Sequence, residues 1–455
     1  MSAWQAVILA AGAGTRMHSA TPKVLHNVCG VPLINYVVSA LTNAGLRTPI
    51  VVVPSQAEAL YACLGDVADF VVQEIPLGTG HALVGVQESL EADTKNVLVI
   101  NGDCPLVSTD SINRLMECHE ESQSQMSLMT AEGVDQEGYG RIIRDSFGNI
   151  SEIVEELDAT PEQLAIKEVN GGVYAFQLPS LWPQLASLKP SSNGEIYLTD
   201  MVDCVYQAKG ITSTMHVSDP HDVLGVNTRV DLARAETIIQ NRIRHQVMVD
   251  GVTMIDPSTT YIDSCVLIGK DTVLYPNTHV TGTSIIGESC EIGPNTVVRN
   301  SVVGQGCKIV SSMVDGTTLG VGVDVGPFSN LRLGSHIGEG THIGNYVEIK
   351  ESVLGSDVKI GHFSYIGDAD IGRKVNIGAG TVTANYDGYA KNRTTIEENA
   401  FIGSDTMLVA PIHIGKNAAT GAGSVVTKDV AAGETVMGVP AKPELGKSSI
   451  RTKKT

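Results

Sequence analysis

Aromatic residues are scarce: six Phe, two Trp and twelve Tyr make up 4% of 455 positions. Packing must therefore rely on aliphatic side chains of small to medium size. Basic residues are outnumbered as well, 31 against 50 acidic ones, for a formal net charge of -19. That balance argues against a nucleic-acid-binding surface and for an acidic exterior with local basic pockets for anionic small molecules. Cysteine occurs eight times (Cys29, Cys63, Cys104, Cys118, Cys204, Cys265, Cys290 and Cys307) but never as Cys-x-x-Cys. The scatter excludes a zinc site of that type and a disulfide framework, and a reducing compartment is expected. No apolar run reaches the roughly 20 residues of a membrane span. A strand beginning by Ala6 leaves no room for a signal peptide. The expected location is the cytoplasm, with neither membrane nor nucleic acid as a partner.

Glycine, by contrast, is abundant at 47 residues, and the two halves of the chain use it differently. In the first half, "AVILAAG", "PIVVVP" and "NVLVINGD" read as buried strands, and "PLINYVVSALTNAG" has helical spacing ending at Gly45. Apolar strands separated by helices predict an α/β, Rossmann-like, mostly parallel sheet covered on both faces. Ligands collect at the carboxyl ends of such strands, where the turns after Leu9 and Ile100 fall. "VDLARAETIIQNRIRHQVMVDG" reads as an amphipathic spacer helix. Beyond it, an aliphatic residue followed by glycine recurs every six residues, as in Ile337-Gly338, Ile343-Gly344, Leu354-Gly355 and Ile360-Gly361. Three such hexads complete one triangular coil of a parallel β-helix, each coil stabilised by its neighbours.

The residues that carry chemistry stand out against these two rhythms. "LAAGAGTRMHSATPKVLH", from Leu9 to His26, lacks both Gly-x-x-x-x-Gly-Lys-Ser/Thr and the third glycine of a dinucleotide fingerprint. Gly12 and Gly14 let backbone N–H groups approach phosphate oxygens, and Arg16 and Lys23 add positive charge. For the glycines alone, an ordinary strand-to-helix turn is the plainer alternative. Asp103 in "VLVINGDCPL" and Asn227 in "LGVNTR" offer hard oxygen ligands suited to Mg²⁺ shared with substrate phosphates. Each in isolation is an ordinary turn residue. Gln73, ahead of "LGTGHA", carries an amide that both donates and accepts, as a base edge requires. In the hexad half, "GHFSYIG" places His362 and Tyr365 beside the regular Ile360 and Ile366. The repeat then breaks after Gly380 with a loop holding Asn385, Tyr386 and Lys391, while Arg332 and Lys350 add positive charge on neighbouring coils.

Together "LAAGAGTRMHSATPKVLH", "QEIPLGTGHA", "NGDCPL", "GYGRI", "IVEELDAT", "GVN" and the hexads resemble the sugar-1-phosphate nucleotidylyltransferases. Within them the chain resembles, over nearly its whole length, the bifunctional N-acetylglucosamine-1-phosphate uridylyltransferase/glucosamine-1-phosphate acetyltransferase family. The resemblance implies a uridylyltransferase domain over 1–228 and a linker helix over 229–250. It implies a left-handed β-helix acetyltransferase domain over 251–445 and a flexible tail over 446–455. Ala11, Gly12, Gln73, Gly78 and Thr79 would hold the uridine of UTP. Arg16 and Lys23 would stabilise the phosphates, Asp103 and Asn227 would bind Mg²⁺, and Gly140, Glu155 and Asn170 would hold the N-acetylglucosamine ring.

In the β-helix the resemblance gives His362 the role of general base, for which a pKa near ~6.5 is suited. It gives Arg332, Lys350, Tyr365, Asn376 and Lys391 to glucosamine-1-phosphate. Ala379, Asn385, Tyr386, Ser404 and Ala422 would face acetyl-CoA, with Asn385 and Ser404 as candidate oxyanion donors. The implied product of acetyl transfer is N-acetylglucosamine-1-phosphate, which then attacks the α-phosphorus of UTP and expels pyrophosphate. A homotrimer with sites in grooves between subunits is also implied. The alternative keeps nucleotidyl transfer and leaves the β-helix an oligomerising module. Two positions depart from the family pattern. "NGG" (Asn170 to Gly172) replaces Asn-Thr-Gly, with looser sugar contacts expected, and Gly438 stands where an arginine meets CoA phosphate, with Lys442 as a substitute cation.

Overall fold

The computed structural model describes residues 3–12, 14–133, 137–191 and 194–443; the tail expected over 446–455 lies outside the described residues. The chain divides into two compact units, one running to Ile239 and the other beginning at Gln240. The boundary falls within the helix Arg229–Val249.

In the first unit the strands lie in the order Thr212–His216, Met126–Ala131, Val169–Gln177, Asn96–Asn101, Trp4–Leu9, Ile50–Pro54, Asp69–Gln73. All neighbours pair in parallel except Val169–Gln177, which runs antiparallel to both strands beside it. The apolar runs are buried on both faces because alternate residues enter two separate cores. Ile8, Val51, Leu98 and Ile100 pack with Ile34, Val37 and Leu115 of the helices Leu33–Asn43 and Thr109–Ser122. Val7, Val52, Val97 and Val99 pack with Leu83, Leu181 and Val202 on the other side. The reversed strand matters for the site. Val173 pairs with Ile100, so Asn170, near the start of the reversed strand, reaches the same sheet edge at which the parallel strands end.

In the second unit each short strand pairs with the strand one coil further on, giving three long parallel faces. Ile343, Ile360, Ile377 and Ile402 stack on the first face, Leu331, Ile349 and Ile366 on the second, Ile337, Leu354, Ile371, Ile396 and Ile414 on the third. Successive hexads thus occupy successive faces, as the sequence period requires. All these aliphatic residues point inward and are buried. Most of them are followed by a glycine, and the reason is steric: a Cβ at Gly355 would come within 2.7 Å of the Arg373 backbone nitrogen on the next coil. Among the described residues no helix is long and apolar enough to cross a membrane.

Ile349, fully buried between Leu331 and Ile366, gives the first prediction. Ile349→Ala should destabilise the β-helix by about 2–5 kcal/mol. Guanidinium unfolding followed by circular dichroism measures this, and an outward Thr318→Ala control should stay within about 0.5 kcal/mol of wild type.

Two candidate active sites

The first site is built at the carboxyl edge of the first unit's sheet. After Leu9 the chain turns through Gly12 and Gly14 into a short 3-10 turn, Thr15–Met17, anchored by the buried Met17. Gly14 is required there: its φ is 59°, and a Cβ would lie 2.8 Å from Lys23 Cβ. Nothing stands within 4 Å of the position a Gly12 Cβ would take, so the turn is open on that side. Lys23 reaches across to ion-pair with Asp103 and donates to Asn227 Oδ1 at 3.0 Å. Arg16 Nη2 donates to the same oxygen at 3.0 Å. Two cations and two hard oxygens therefore meet at one point, drawn from segments more than 200 residues apart in sequence.

Residues that sequence reasoning passed over hold this point in place. Asp231 at the start of the spacer helix accepts from the backbone N–H groups of Asn227 and Thr228 at 3.1 and 2.8 Å. Tyr139 donates to Val223 O and accepts from Gly225 N, steadying the segment that leads to Asn227. Burial pushes the Tyr139 hydroxyl up to about 12, so it stays a neutral donor. The sequence signal for Tyr139 was its place inside "GYGRI"; Asp231 had none beyond an acid in a first helical turn.

Two further groups of candidate residues lie in the same unit. In one, Gln73 is buried and its Nε2 contacts Gly78 O at 3.3 Å and His81 Nδ1 at 3.1 Å. Gly78, with φ 102°, lets the loop press against Ile196, and the Thr79 hydroxyl accepts from Leu198 N at 3.0 Å. Ala11 lies at the end of the first strand, partly buried against the second core. In the other, Gly140, Glu155 and Asn170 converge: a Cβ on Gly140 would stand 3.6 Å from Glu155 Oε2 and 3.7 Å from Asn170 Cβ. Asn170 donates to Tyr174 Oη at 2.7 Å. Burial raises the Glu155 carboxyl above the usual range, opposed by a hydrogen bond from Thr199 and reinforced by Asp200 and Asp158.

The second site lies on the β-helix. His362, Ala379, Ser404 and Ala422 follow two residues after Ile360, Ile377, Ile402 and Thr420, so they stack on one corner of successive coils. Coils rise by about 4.8 Å, the spacing of paired strands. His362 Nδ1 lies 3.1 Å from Asn345 Oδ1. An amide oxygen only accepts, so Nδ1 carries the proton and Nε2 keeps its lone pair facing outward. Asn345, which fixes this tautomer, sits one coil below and was not singled out from sequence.

On the adjoining second face, Arg332 and Lys350 occupy matching positions on consecutive coils, and Lys391 comes down from the loop to meet Lys350. The close approach of Lys391, with the positive charges of Lys391 and Arg332, lowers the Lys350 ammonium below the usual lysine range. Such crowding of cations is relieved by an anion. Tyr365 lies on the same face, its Oη 3.4 Å from Asn385 Nδ2. Tyr386 is exposed in the loop, bridged to Lys391. Asn376 is not part of this group: it begins a strand of the first face, between Lys359 and Phe401.

Comparison with known proteins now becomes decisive. A MobA-like NTP transferase domain matches residues 6–194, and bacterial transferase hexapeptide repeats match 265–300 and 393–428. The bifunctional protein GlmU of Heliobacterium modesticaldum is 44% identical over 429 residues, covering 94% of both chains. Those of Carboxydothermus hydrogenoformans and Shouchella clausii are 44% and 42% identical, each covering 94% of this chain and 95% of their own. The chain belongs to the bifunctional GlmU family.

As a GlmU-family protein it is a bifunctional transferase, with a nucleotidyltransferase unit followed by a left-handed β-helix of hexapeptide repeats. The Gly171 departure is accommodated in the core of this member. A Cβ there would lie 2.6 Å from Val223 Cγ1 and 2.9 Å from Met129 O, so Gly171 faces closely packed atoms of Val223 and Met129 while Asn170 faces Gly140. At the other departure, Gly438 adopts φ 93° and Met437 pairs antiparallel with the exposed Lys442.

Glu155 yields a pH prediction. Its folded pKa is raised, so the folded state holds its proton to higher pH than the unfolded chain does, and stability is lost as pH rises from about 4.5 through the folded value. Glu155→Gln removes that loss while keeping an acceptor for Thr199. Thermal unfolding across pH should find the variant more stable than wild type at pH 7 and equal to it below about pH 4. A variant less stable than wild type at pH 7 would contradict this.

Proposed function

We propose that the chain makes UDP-N-acetylglucosamine in two steps: acetyl transfer from acetyl-CoA to glucosamine-1-phosphate on the β-helix, then uridylyl transfer from UTP in the first unit. The observation that carries the reading is the convergence of Arg16, Lys23, Asp103 and Asn227 at the sheet edge.

In this reading the Gln73–Gly78–Thr79 side, with Ala11 and Gly12, takes the uridine, and Gly140, Glu155 and Asn170 take the amino-sugar ring. Arg16 and Lys23 take the phosphates of the two substrates and offset charges that would otherwise repel. Asp103 and Asn227 present a carboxylate and an amide oxygen to the same ammonium, a donor set that fits a divalent cation completed by phosphate and water. Among the described residues no cluster of three or more His, Cys, Asp or Glu offers a rival site. Mg²⁺ held there supplies neutralisation of the triphosphate charge.

On the β-helix, His362 Nε2 takes the proton of the attacking amine, Arg332, Lys350 and Lys391 hold the sugar phosphate, and Tyr365 lies under the ring. Acetyl-CoA runs along the corner column of Ala379, Ser404 and Ala422, with Tyr386 from the loop and Lys442 near its far end. A homotrimer completes the site, since it allows the partner subunit's Asn376 to approach a second face it cannot reach within one chain. Phosphorylated substrates of this kind support a cytoplasmic location.

Two rates test the reading, pyrophosphate release from UTP and thiol release from acetyl-CoA. Asp103→Asn should cost on the order of several kcal/mol of transition-state stabilisation in uridylyl transfer and leave thiol release unchanged. His362→Ala should slow thiol release by roughly 10²–10⁴-fold, with uridylyl transfer from N-acetylglucosamine-1-phosphate intact and the circular dichroism spectrum preserved. Wild-type protein that releases no thiol would leave the β-helix an oligomerising scaffold.

A further inference from the structure

Asp368 is assigned no role by any of the foregoing, yet it sits at the centre of the second face's polar cluster. It follows Gly367 at the corner where that face ends, in left-handed backbone with φ 51°. Its backbone N–H donates to Lys350 O at 3.1 Å, and its carbonyl accepts from Thr394 N at 3.0 Å, tying it to the coil below and to the end of the loop. Its carboxylate acts electrostatically on both Lys350 and Lys391. The same carboxylate takes a hydrogen bond from Asn385 Nδ2.

That last contact has a directional consequence. An ionised carboxylate accepts and cannot donate, so the amide of Asn385 must turn its nitrogen toward Asp368. The second Nδ2 hydrogen meets Tyr365 Oη. Both donors are engaged, and among the described residues Asn385 Oδ1 takes no hydrogen bond. The arrangement depends on Gly367, where a Cβ would fall 2.5 Å from Tyr365 Oη and 2.7 Å from Asn385 Nδ2. Asn385 itself is buried, 8% exposed, so its amide is not free to tumble.

We propose that Asp368 is a positioning residue for acetyl transfer, holding the Asn385 amide so that its carbonyl oxygen, an acceptor, faces the amino sugar. The inference rests on the acetyltransferase reading above. An amino sugar anchored by its phosphate on Arg332, Lys350 and Lys391 carries its N–H and O–H donors within a few ångströms of that phosphate. Asn385 Oδ1 is then an acceptor of the polarity they need. The oxyanion-donor role expected of Asn385 would require the amide to turn round and present N–H to the substrate while setting its oxygen against the Asp368 carboxylate.

Asp368→Asn tests this with little structural disturbance, because Asn tolerates left-handed backbone as well as Asp does. The freed amide of Asn385 should sample both orientations. The expected result is a fall of about tenfold in kcat/KM for glucosamine-1-phosphate, with the KM for acetyl-CoA within twofold of wild type and the melting temperature preserved. Asn385→Asp sets two carboxylates together and should lose more. The exchange Asp368→Asn with Asn385→Asp restores a hydrogen bond in which position 385 still shows an oxygen to the substrate, and it should regain at least tenfold over Asn385→Asp alone. A swap as inactive as Asn385→Asp, or a loss in Asp368→Asn that falls on acetyl-CoA instead, would overturn the proposal and return Asn385 to a donor role. A loss tracking a lowered melting temperature equally in both substrates would make Asp368 structural. Failure of the underlying reading looks different: wild-type protein would then release no thiol.

Discussion

Coil-on-coil registry in the β-helix governs where almost every polar residue of the second unit can act. Parallel pairing carries one strand directly over the strand of the preceding coil, and the inward Ile, Leu and Val columns lock that register. A slip of one residue would turn the aliphatic column outward. With register fixed, outward positions are fixed too: His362 comes to lie under Ala379 and Ser404, and Lys350 above Arg332. Glycines such as Gly338, Gly355 and Gly372 allow backbones to stack without a Cβ between them. A repetitive, purely structural constraint thereby becomes a ruler on which functional groups are spaced.

The first unit meets the opposite problem, since its cluster is assembled from distant segments rather than from a repeat. Strand ends bring the glycine turn and Asp103 to one edge, the reversed strand brings Asn170, and the start of the spacer helix brings Asn227. Electrostatics then does locally what registry does in the β-helix. Lys23 is held by Asp103 and Asn227, and Asn227 is held in turn by Arg16. Both cations already hold hydrogen-bond partners, with one positive charge in excess over Asp103, so an arriving phosphate meets a net positive cluster.

Both sites contain residues whose work is to orient another group. Asn345 sets the His362 tautomer, Asp231 sets the Asn227 backbone, and Asp368 meets the Asn385 amide. None carries a sequence signature. Each is an ordinary polar residue whose importance comes from the atom it faces, and in the β-helix that atom belongs to the next coil.

The sequence alone determined the two architectures, because hydrophobic period is a local property: continuous apolar runs must be covered on both faces, and a six-residue aliphatic–glycine period must wind into three-sided coils. It also marked Gly14, Lys23, Asp103 and His362, each lying in a short stretch whose residue types match a chemistry. Sequence could not decide that Val169–Gln177 runs backwards, since burial patterns are the same for either direction. It could not separate Asn376 from the Arg332–Lys350–Lys391 group, because face membership depends on how strands follow the corners. Nor could it show that Gly171 faces Val223 and Met129, or that the Asn385 nitrogen is turned to Asp368. Those are matters of direction, and direction exists only once distant parts of the chain are packed against one another.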